Sequence, residues 1–160
     1  MTSVLSSPAG AGDKAVRKPT RKATAKKKIV RTAGSVAGFI DALTPEAKRR
    51  DSRQLAQIMR RASGRSAMLW GNGIVGFGRY RYQTSAGREN EAPMIAFSPR
   101  GAKLSLYHMD LEASALLRRL GRYQTGQRCL YLARLSDVDV SVLEALCAHS
   151  FRRVRKAHGG

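Results

Sequence analysis

The sequence predicts an α+β fold in which a mainly antiparallel sheet of about five or six strands is packed by helices on one side. Apolar residues recur at helical spacing before Gly64, alternate at strand spacing over residues 67–108, and return to helical spacing near the C-terminus. Short segments rich in glycine, proline and serine join the predicted strands, which favours antiparallel pairing. A chain of 160 residues is long enough for one such core and a tail.

Residues 1–33 predict a disordered basic tail, because they contain almost no large apolar side chains to offset the entropy of ordering. Nine lysines and arginines stand against one acidic residue, so the tail carries +8 of the chain's formal net charge of +19. The remaining +11 makes the predicted domain, residues 34–156, basic as well. The predicted polyanion-binding cations of the tail are Lys14, Arg17, Lys18, Arg21, Lys22, Lys26, Lys27, Lys28 and Arg31.

Two helices are predicted before the first strand. Ser35 is the expected N-cap of a short helix, and Thr44 with Pro45 should begin a second helix that ends near Ala62. Lysine and arginine dominate the exposed face of the second helix. Apolar residues give each helix one buried face, namely Val36, Phe39, Ile40 and Leu43 in the first and Leu55, Ile58, Met59 and Ala62 in the second.

Two more helices are predicted towards the C-terminus. The first spans residues 112–120 and is ended by Gly121. Ser136 and Asp139 have the spacing of a capping box and should begin the last helix. The buried stripe of that helix consists of Val140, Leu143, Cys147, Phe151 and Val154.

The segment between these pairs of helices contains the strand candidates. They cover residues 67–70, 74–77, 79–83, 94–98 and 103–108, with a further short strand at 130–132. Glu89 and Glu91 are assigned to a polar turn after Gly87.

Gly71, Gly73 and Gly76 satisfy the G-x-G-x-x-G spacing of dinucleotide-binding loops. In such a loop the third glycine opens a helix whose N-terminal amides hold the pyrophosphate. Here the residues from Phe77 to Gln83 keep strand spacing instead. We therefore interpret the glycines as turn and close-packing positions between two strands.

Three blocks of sequence resemble one bacterial family. The blocks are Trp70-Gly71 with Ile74-Val75-Gly76-Phe77-Gly78, then Phe97-Ser98-Pro99-Arg100, then Leu120-Gly121 leading to Thr125-Gly126 and Cys129-Leu130-Tyr131. In this order, between Val36 and Phe151, they resemble the YdhG-like domain-of-unknown-function family. The resemblance implies a small α+β domain, and some members of that family are labelled frataxin-like iron chaperones. Where the family usually has Gly-Lys-His-Lys-Thr-Gly-Lys, this chain has Gly121-Arg122-Tyr123-Gln124-Thr125-Gly126-Gln127.

The residues that could carry chemistry do not converge on a catalytic site, so we predict a protein that is not an enzyme and has no cofactor. His108 lies at a predicted strand end close to Asp110, His149 is expected on the solvent side of the last helix, and His158 lies near the terminus. The two cysteines are interpreted as small buried hydrophobic residues. A strongly basic chain with scattered carboxylates is poorly suited to iron, so no metal site is predicted.

A pocket on the sheet is one functional hypothesis. Aromatic residues from several strands and polar residues from adjoining turns are a mixture suited to a small anionic or amide-bearing ligand. The alternative is ordinary packing, since aromatic residues at alternating strand positions first build a core. The candidate ligand-binding residues are Trp70, Tyr80, Phe97, Arg100, Tyr107, Gln124, Arg128 and Tyr131.

Non-specific association with DNA or RNA is the second hypothesis, based on the tail and the arginine-rich helix faces. Each phosphate contact releases counterions whatever the base sequence. No helix-turn-helix, zinc-finger or RNP motif is recognisable, so base readout is not predicted. The alternative is a tail that only improves solubility. A cytoplasmic location without membrane contact is expected, because the sequence shows no signal peptide and no apolar run of membrane-spanning length.

Overall fold

A computed structural model describes residue 32 and residues 34–71 and 73–159 of the chain. These residues form an α+β structure, as predicted. The predicted tail, with its nine cations, lies outside the described residues apart from Thr32. The helices of the described residues are α1 (Val36–Asp41), α2 (Glu46–Ser63), α3 (Ser114–Leu120) and α4 (Val140–His158), and a 3-10 turn lies at Leu135–Asp137.

All the described strands pair antiparallel. Six of them form the main sheet in the order β1-β2-β5-β6-β8-β7, and β3 pairs with β4 in a separate hairpin. The strands are β1 (Ala67–Trp70), β2 (Ile74–Phe77), β3 (Tyr80–Gln83), β4 (Glu89–Ala92), β5 (Ile95–Ser98), β6 (Leu104–Tyr107), β7 (Gln124–Thr125) and β8 (Cys129–Leu132).

One face of the main sheet, here called the inner face, is covered by helices. The strand register aligns Val75, Phe97, Leu106 and Leu130 in one row across four strands. All four are buried in the hydrophobic core, together with residues of α2, α3 and α4. Burying one sheet face against amphipathic helices removes their apolar surfaces from water, which is the dominant stabilising term in such a fold. The predicted packing of helices on one side is confirmed.

The glycine-rich segment forms a hairpin and not a phosphate loop. Gly71 and Gly73 have φ angles of 52° and 86° in the turn between β1 and β2, a left-handed conformation that glycine adopts without strain. No helix follows Gly76, which pairs with Met68 and Ala96 inside the sheet.

Of the three N-caps predicted from the sequence, one was right and two were wrong. Ser35 does cap α1, accepting a hydrogen bond from the amide of Gly38. At α2, however, Pro45 occupies the N-cap position without a side-chain capping bond, and Thr44 precedes it. At α4 the cap is Asp139 itself, which accepts from the amides of Ser141 and Val142. Ser136 does not form the predicted capping box, because it lies within the 3-10 turn, where the amide of Val138 donates to the carbonyl of Leu135.

Two strands were missed because they are short or polar. Glu89 and Glu91, which the sequence assigned to a turn, lie in β4 and pair with Gln83 and Arg81 of β3. Gln124 lies in the two-residue strand β7, opposite Tyr131. Among the described helices, none has the length and apolar character needed to cross a membrane.

Candidate functional site

The residues predicted to line a pocket on the sheet lie on both of its faces. Phe97 points into the helix-covered core and is fully buried. Trp70 is also fully buried, but it lies on the opposite, outer face, because its neighbour Leu69 pairs with the inward-facing Val75. The two aromatic residues therefore cannot line one pocket.

The Trp70 indole packs directly over Gly76. A Cβ atom at Gly76 would stand 2.6 Å from Cδ1 and Nε1 of Trp70 and 2.6 Å from Cβ of Pro93, far inside van der Waals contact. Only glycine allows the ring to lie this close to the sheet. The indole Nε1 is buried and has no hydrogen-bond partner in the part of the chain that the structure describes. The position of Trp70 is thus fixed by packing.

Further along the outer face, Tyr107 and Tyr131 lie on β6 and β8 and are half-buried. Lys103 donates a 2.8 Å hydrogen bond from Nζ to Oε1 of Gln124, and this Nζ lies 5.5 Å from the centroid of the Tyr131 ring. A side-chain hydrogen bond with Cys129 raises the pKa of Tyr131. These residues form a polar patch at the β7 end of the sheet, while Trp70 lies at the β1 end.

Arg100 lies exposed in the turn between β5 and β6.

Of the eight predicted ligand-binding residues, the remaining two, Tyr80 and Arg128, meet in a different place. They line a cavity of about 400 Å³ between the β3–β4 hairpin, the end of β6 and the last turns of α4. We call this the Tyr80 cavity. It is lined by Tyr80, His108, Met109, Leu111, Glu112, Arg128, Arg153, Val154, Ala157 and His158.

Three aromatic side chains converge on one wall of the Tyr80 cavity. The ring of His158 stacks on Tyr80 with a centroid separation of 4.1 Å and an interplanar angle of 21°. The ring of His108 meets Tyr80 edge-on at 6.1 Å. Burial and the neighbouring Tyr82 raise the pKa of Tyr80, with a smaller opposing effect of Arg128. The Tyr80 hydroxyl is therefore neutral and remains a donor at physiological pH.

Burial, followed by the charges of Arg128 and His158, lowers the pKa of His108 below its usual value of 6.5. His108 is therefore a neutral imidazole at pH 7, with one nitrogen as donor and the other as acceptor. The charge of Arg128 acts on both Tyr80 and His108, in each case less strongly than burial does.

The backbone is strained at two positions of this cavity. His108 and Arg128 have φ angles of 65° and 74°, and they are the only residues other than glycine with positive φ in the described ranges. They face each other where β6 and β8 separate, and the amide of His108 donates a 3.3 Å hydrogen bond to the carbonyl of Arg128. Left-handed conformations of such residues cost free energy and cluster at binding and catalytic sites.

Asp110 ties the base of the cavity to α4. Its carboxylate is 8% exposed and accepts hydrogen bonds from the Glu112 amide at 3.0 Å, His149 Nε2 at 2.8 Å and an Arg153 guanidinium nitrogen at 2.9 Å. The amide of Asp110 donates to Ser150 Oγ at 2.8 Å. Burial alone would raise the pKa of Asp110, but the bonds from Glu112 and His149 and the charge of Arg153 lower it.

This network corrects the sequence-based assignment of the histidines. His149 is 43% exposed, in keeping with its expected solvent-side position, but it also bonds Asp110. His108, the expected neighbour of Asp110, instead faces Arg128 and Tyr80. His149 and Arg153 are four residues apart on a helix and so share one face. That spacing could have indicated a common acidic partner, but only the tertiary fold identifies Asp110.

Of the two cysteines, both expected to be buried, only Cys147 is fully buried. Burial raises the pKa of the Cys147 thiol to about 12, and Cys129 is partly buried on β8. Within the described residues, no cluster of three or more histidine, cysteine, aspartate or glutamate side chains is arranged to hold a metal ion.

Next to the Tyr80 cavity, the end of α4 carries a concentrated positive charge. Arg152, Arg155 and Lys156 line an open depression of about 400 Å³ with Gly159, and none of the three forms an ion pair within the described part of the chain. Arg65 reaches the same half of the helix, lying 6.0 Å from the centroid of the Phe151 ring. We call Arg65, Arg152, Arg155 and Lys156 the α4 basic surface.

Comparison with known proteins adds no assignment to this geometry. The chain matches no protein-family model, no curated protein and no solved structure at a significant level of similarity.

Proposed function

We propose that the protein associates non-specifically with nucleic acid, through phosphate contacts made by the α4 basic surface and the lysine- and arginine-rich tail. The observation that carries this proposal is the group of unpaired cations at the end of α4. Cations that have no carboxylate partner remain available to phosphate, and each phosphate contact releases condensed counterions.

The carboxylates of the domain are placed elsewhere. Asp41 pairs with Arg53 at 2.7 Å, Glu144 pairs with Arg61 at 3.0 Å, and Asp51 pairs with Arg134 at 2.8 Å. These pairs neutralise arginines on α2 and beside the 3-10 turn, and Asp110 neutralises Arg153 on α4. Within the described residues, Arg152, Arg155 and Lys156 at the end of α4 are left without a paired carboxylate. A helix C-terminus attracts cations through its dipole, which is equivalent to about half an elementary charge. Residues 152–156 contain four cations, and the charge of the three that have no ion pair within the described residues exceeds that half charge.

The remaining parts of the proposal rest on the sequence. The nine tail cations supply a second, denser source of phosphate contacts. We also propose that the domain is YdhG-like, on its three matching blocks, and that the protein is cytoplasmic and not an enzyme. The three blocks of sequence do not indicate which ligand the protein binds.

A matched pair of full-length variants tests the proposal. The first variant, here called the α4 variant, replaces Arg152, Arg155 and Lys156 by glutamine. The control variant replaces three ion-paired arginines, Arg53, Arg61 and Arg134, by glutamine. Both variants lose three positive charges. Binding of a fluorescently labelled duplex is followed by anisotropy across salt concentrations.

We expect the α4 variant to lower duplex affinity and to make the log-log salt slope shallower by up to about 2.7, since each phosphate contact contributes about 0.9. The control variant should change the slope by less. No binding by the wild-type protein at about 50 mM salt, where the electrostatic contribution is large, would overturn the proposal. Equal effects of the two variants would show that net charge matters and the α4 basic surface does not.

A further inference from the structure

We propose that the Tyr80 cavity binds one nucleoside phosphate unit, with the planar base against Tyr80 and the phosphate at Arg128. This inference deepens the proposed function and rests on it, because it identifies single-stranded nucleic acid as the form that the protein prefers. The unit could also come from a free mononucleotide, and the experiment below separates the two sources.

The position of the base follows from the contact between Tyr80 and His158. At 4.1 Å and 21° from parallel, the His158 ring already occupies the stacking position on Tyr80. His158 is the last residue of α4 and is exposed, and Gly159 ends the helix with a φ angle of 67°. An exposed side chain at a helix end can turn away, so a nucleobase can take its place. Base stacking on an aromatic side chain tolerates every base, since each has a π-face.

The position of the phosphate follows from the charges of the cavity wall. Arg153 is already held by Asp110 at 2.9 Å, whereas Arg128 is exposed and forms no ion pair within the described residues. Its guanidinium group presents planar donors that match the geometry of a phosphate. Glu112 also lines the cavity, and its negative charge opposes a di- or triphosphate. The wall therefore suits a single phosphate group.

His108 and Tyr80 supply neutral polar groups between these two positions. The low pKa of His108 leaves its imidazole uncharged, with one donor and one acceptor, and neither the ring nor the Tyr80 hydroxyl has a described hydrogen-bond partner in the protein. Such groups can bind a sugar hydroxyl or a base edge. The left-handed backbone at His108 and Arg128 places both side chains in the cavity at a local cost in stability, as is usual in binding sites.

The size of the cavity limits the ligand. Its volume of about 400 Å³ is near the lower end of the range of about 300–1,000 Å³ for ligand pockets, which suits one nucleotide. The bases of a duplex are stacked and paired, and extracting one costs a few kcal/mol. Single strands do not carry this cost, so the cavity should favour them over duplexes.

The experiment compares a labelled single-stranded oligonucleotide with a duplex of equal length, using the full chain and fluorescence anisotropy. Tyr80→Leu removes the stacking ring, and Arg128→Gln removes the charge at an exposed position. Tyr131→Leu on the outer face and Arg88→Gln in the β3–β4 turn are the matched controls. Circular dichroism establishes that each variant is folded.

We expect the wild-type protein to bind the single strand more tightly than the duplex. Tyr80→Leu should weaken single-strand binding about 5- to 150-fold, which corresponds to about 1–3 kcal/mol per stacked base, and should leave duplex binding unchanged. Arg128→Gln should weaken it in the same direction, and the controls should not. In a second arm, adenosine monophosphate, adenosine and inorganic phosphate are titrated into the wild-type protein by calorimetry.

Binding of adenosine monophosphate that is lost in Tyr80→Leu or Arg128→Gln would identify a free nucleotide as a source. Its absence, together with variant-sensitive single-strand binding, would identify the strand. Equal affinity for single strand and duplex, unchanged in both variants and without nucleotide binding, would overturn this inference while leaving the proposed function intact. No binding of any nucleic acid or nucleotide would overturn both.

Discussion

Replacing Asp110 by asparagine should loosen the junction between β6 and α4. The wild-type carboxylate is almost completely buried and accepts from Glu112, His149 and Arg153. The amide oxygen of asparagine can still accept from the Glu112 backbone, but the amide nitrogen is itself a donor. Because Glu112 and Arg153 share one carboxylate oxygen and His149 donates to the other, the bond from His149 is lost and Arg153 keeps a hydrogen bond but loses its ion pair.

The magnitude follows from the exposure of the partners. A hydrogen bond to a charged group contributes about 1.5–3 kcal/mol to stability. Because the side chains of His149 and Arg153 are 43% and 57% exposed, water compensates part of each lost bond. We expect Asp110→Asn to lower the free energy of unfolding by about 1.5–3 kcal/mol in total. The control Glu144→Gln, also on α4, breaks an exposed pair with Arg61 of α2 and should cost at most about 1 kcal/mol.

Urea denaturation at two pH values measures both the size and the origin of the effect. The folded-state pKa of Asp110 is lowered, so its contribution is fully present above the unfolded-state pKa of about 3.9 and is lost as pH falls through the folded-state value. The difference between wild type and Asp110→Asn should thus be complete at pH 5 and shrink below about pH 4. An Asp110→Asn cost no larger than that of Glu144→Gln, or a difference that grows on acidification, would refute the reasoning.

Two further substitutions test the packing. Trp70→Ala should lower the free energy of unfolding by about 3–5 kcal/mol, because it empties a fully buried site. Urea denaturation measures this, and a variant as stable as the wild type would instead assign the indole to a ligand site. Gly121→Ala should be more destabilising than Gly87→Ala by about 1–3 kcal/mol in the same assay. Both glycines have positive φ, but a Cβ at Gly121 meets a backbone carbonyl oxygen at 2.5 Å and one at Gly87 meets nothing within 4 Å. Equal costs would contradict the close approach.

The regular elements were predictable because their signals are local. Apolar spacing placed α2 and α4 correctly within a few residues, and alternation placed β1 and β2. Strand β4 was missed because its glutamates resemble a turn, and its pairing with β3 is a tertiary contact that leaves no apolar pattern.

The candidate site was predictable only in part. Tyr80 and Arg128 were both identified from sequence, yet nothing in their local pattern shows that the end of α4 stacks His158 on Tyr80. Phe97 and Trp70 were grouped because both are aromatic strand residues. The side of the sheet that each one faces depends on register, which the sequence alone did not define.

The salt dependence of duplex binding tests the central claim most directly. It is measured for the wild-type chain and for a full-length variant in which the nine cations up to Arg31 are replaced by glutamine. Non-specific phosphate binding predicts a steep log-log slope that is independent of base sequence, at about 0.9 per phosphate contact, and a variant slope shallower by several units with residual binding by the α4 basic surface. A slope that is unchanged by removing the nine cations, or no binding at about 50 mM salt, would contradict the account.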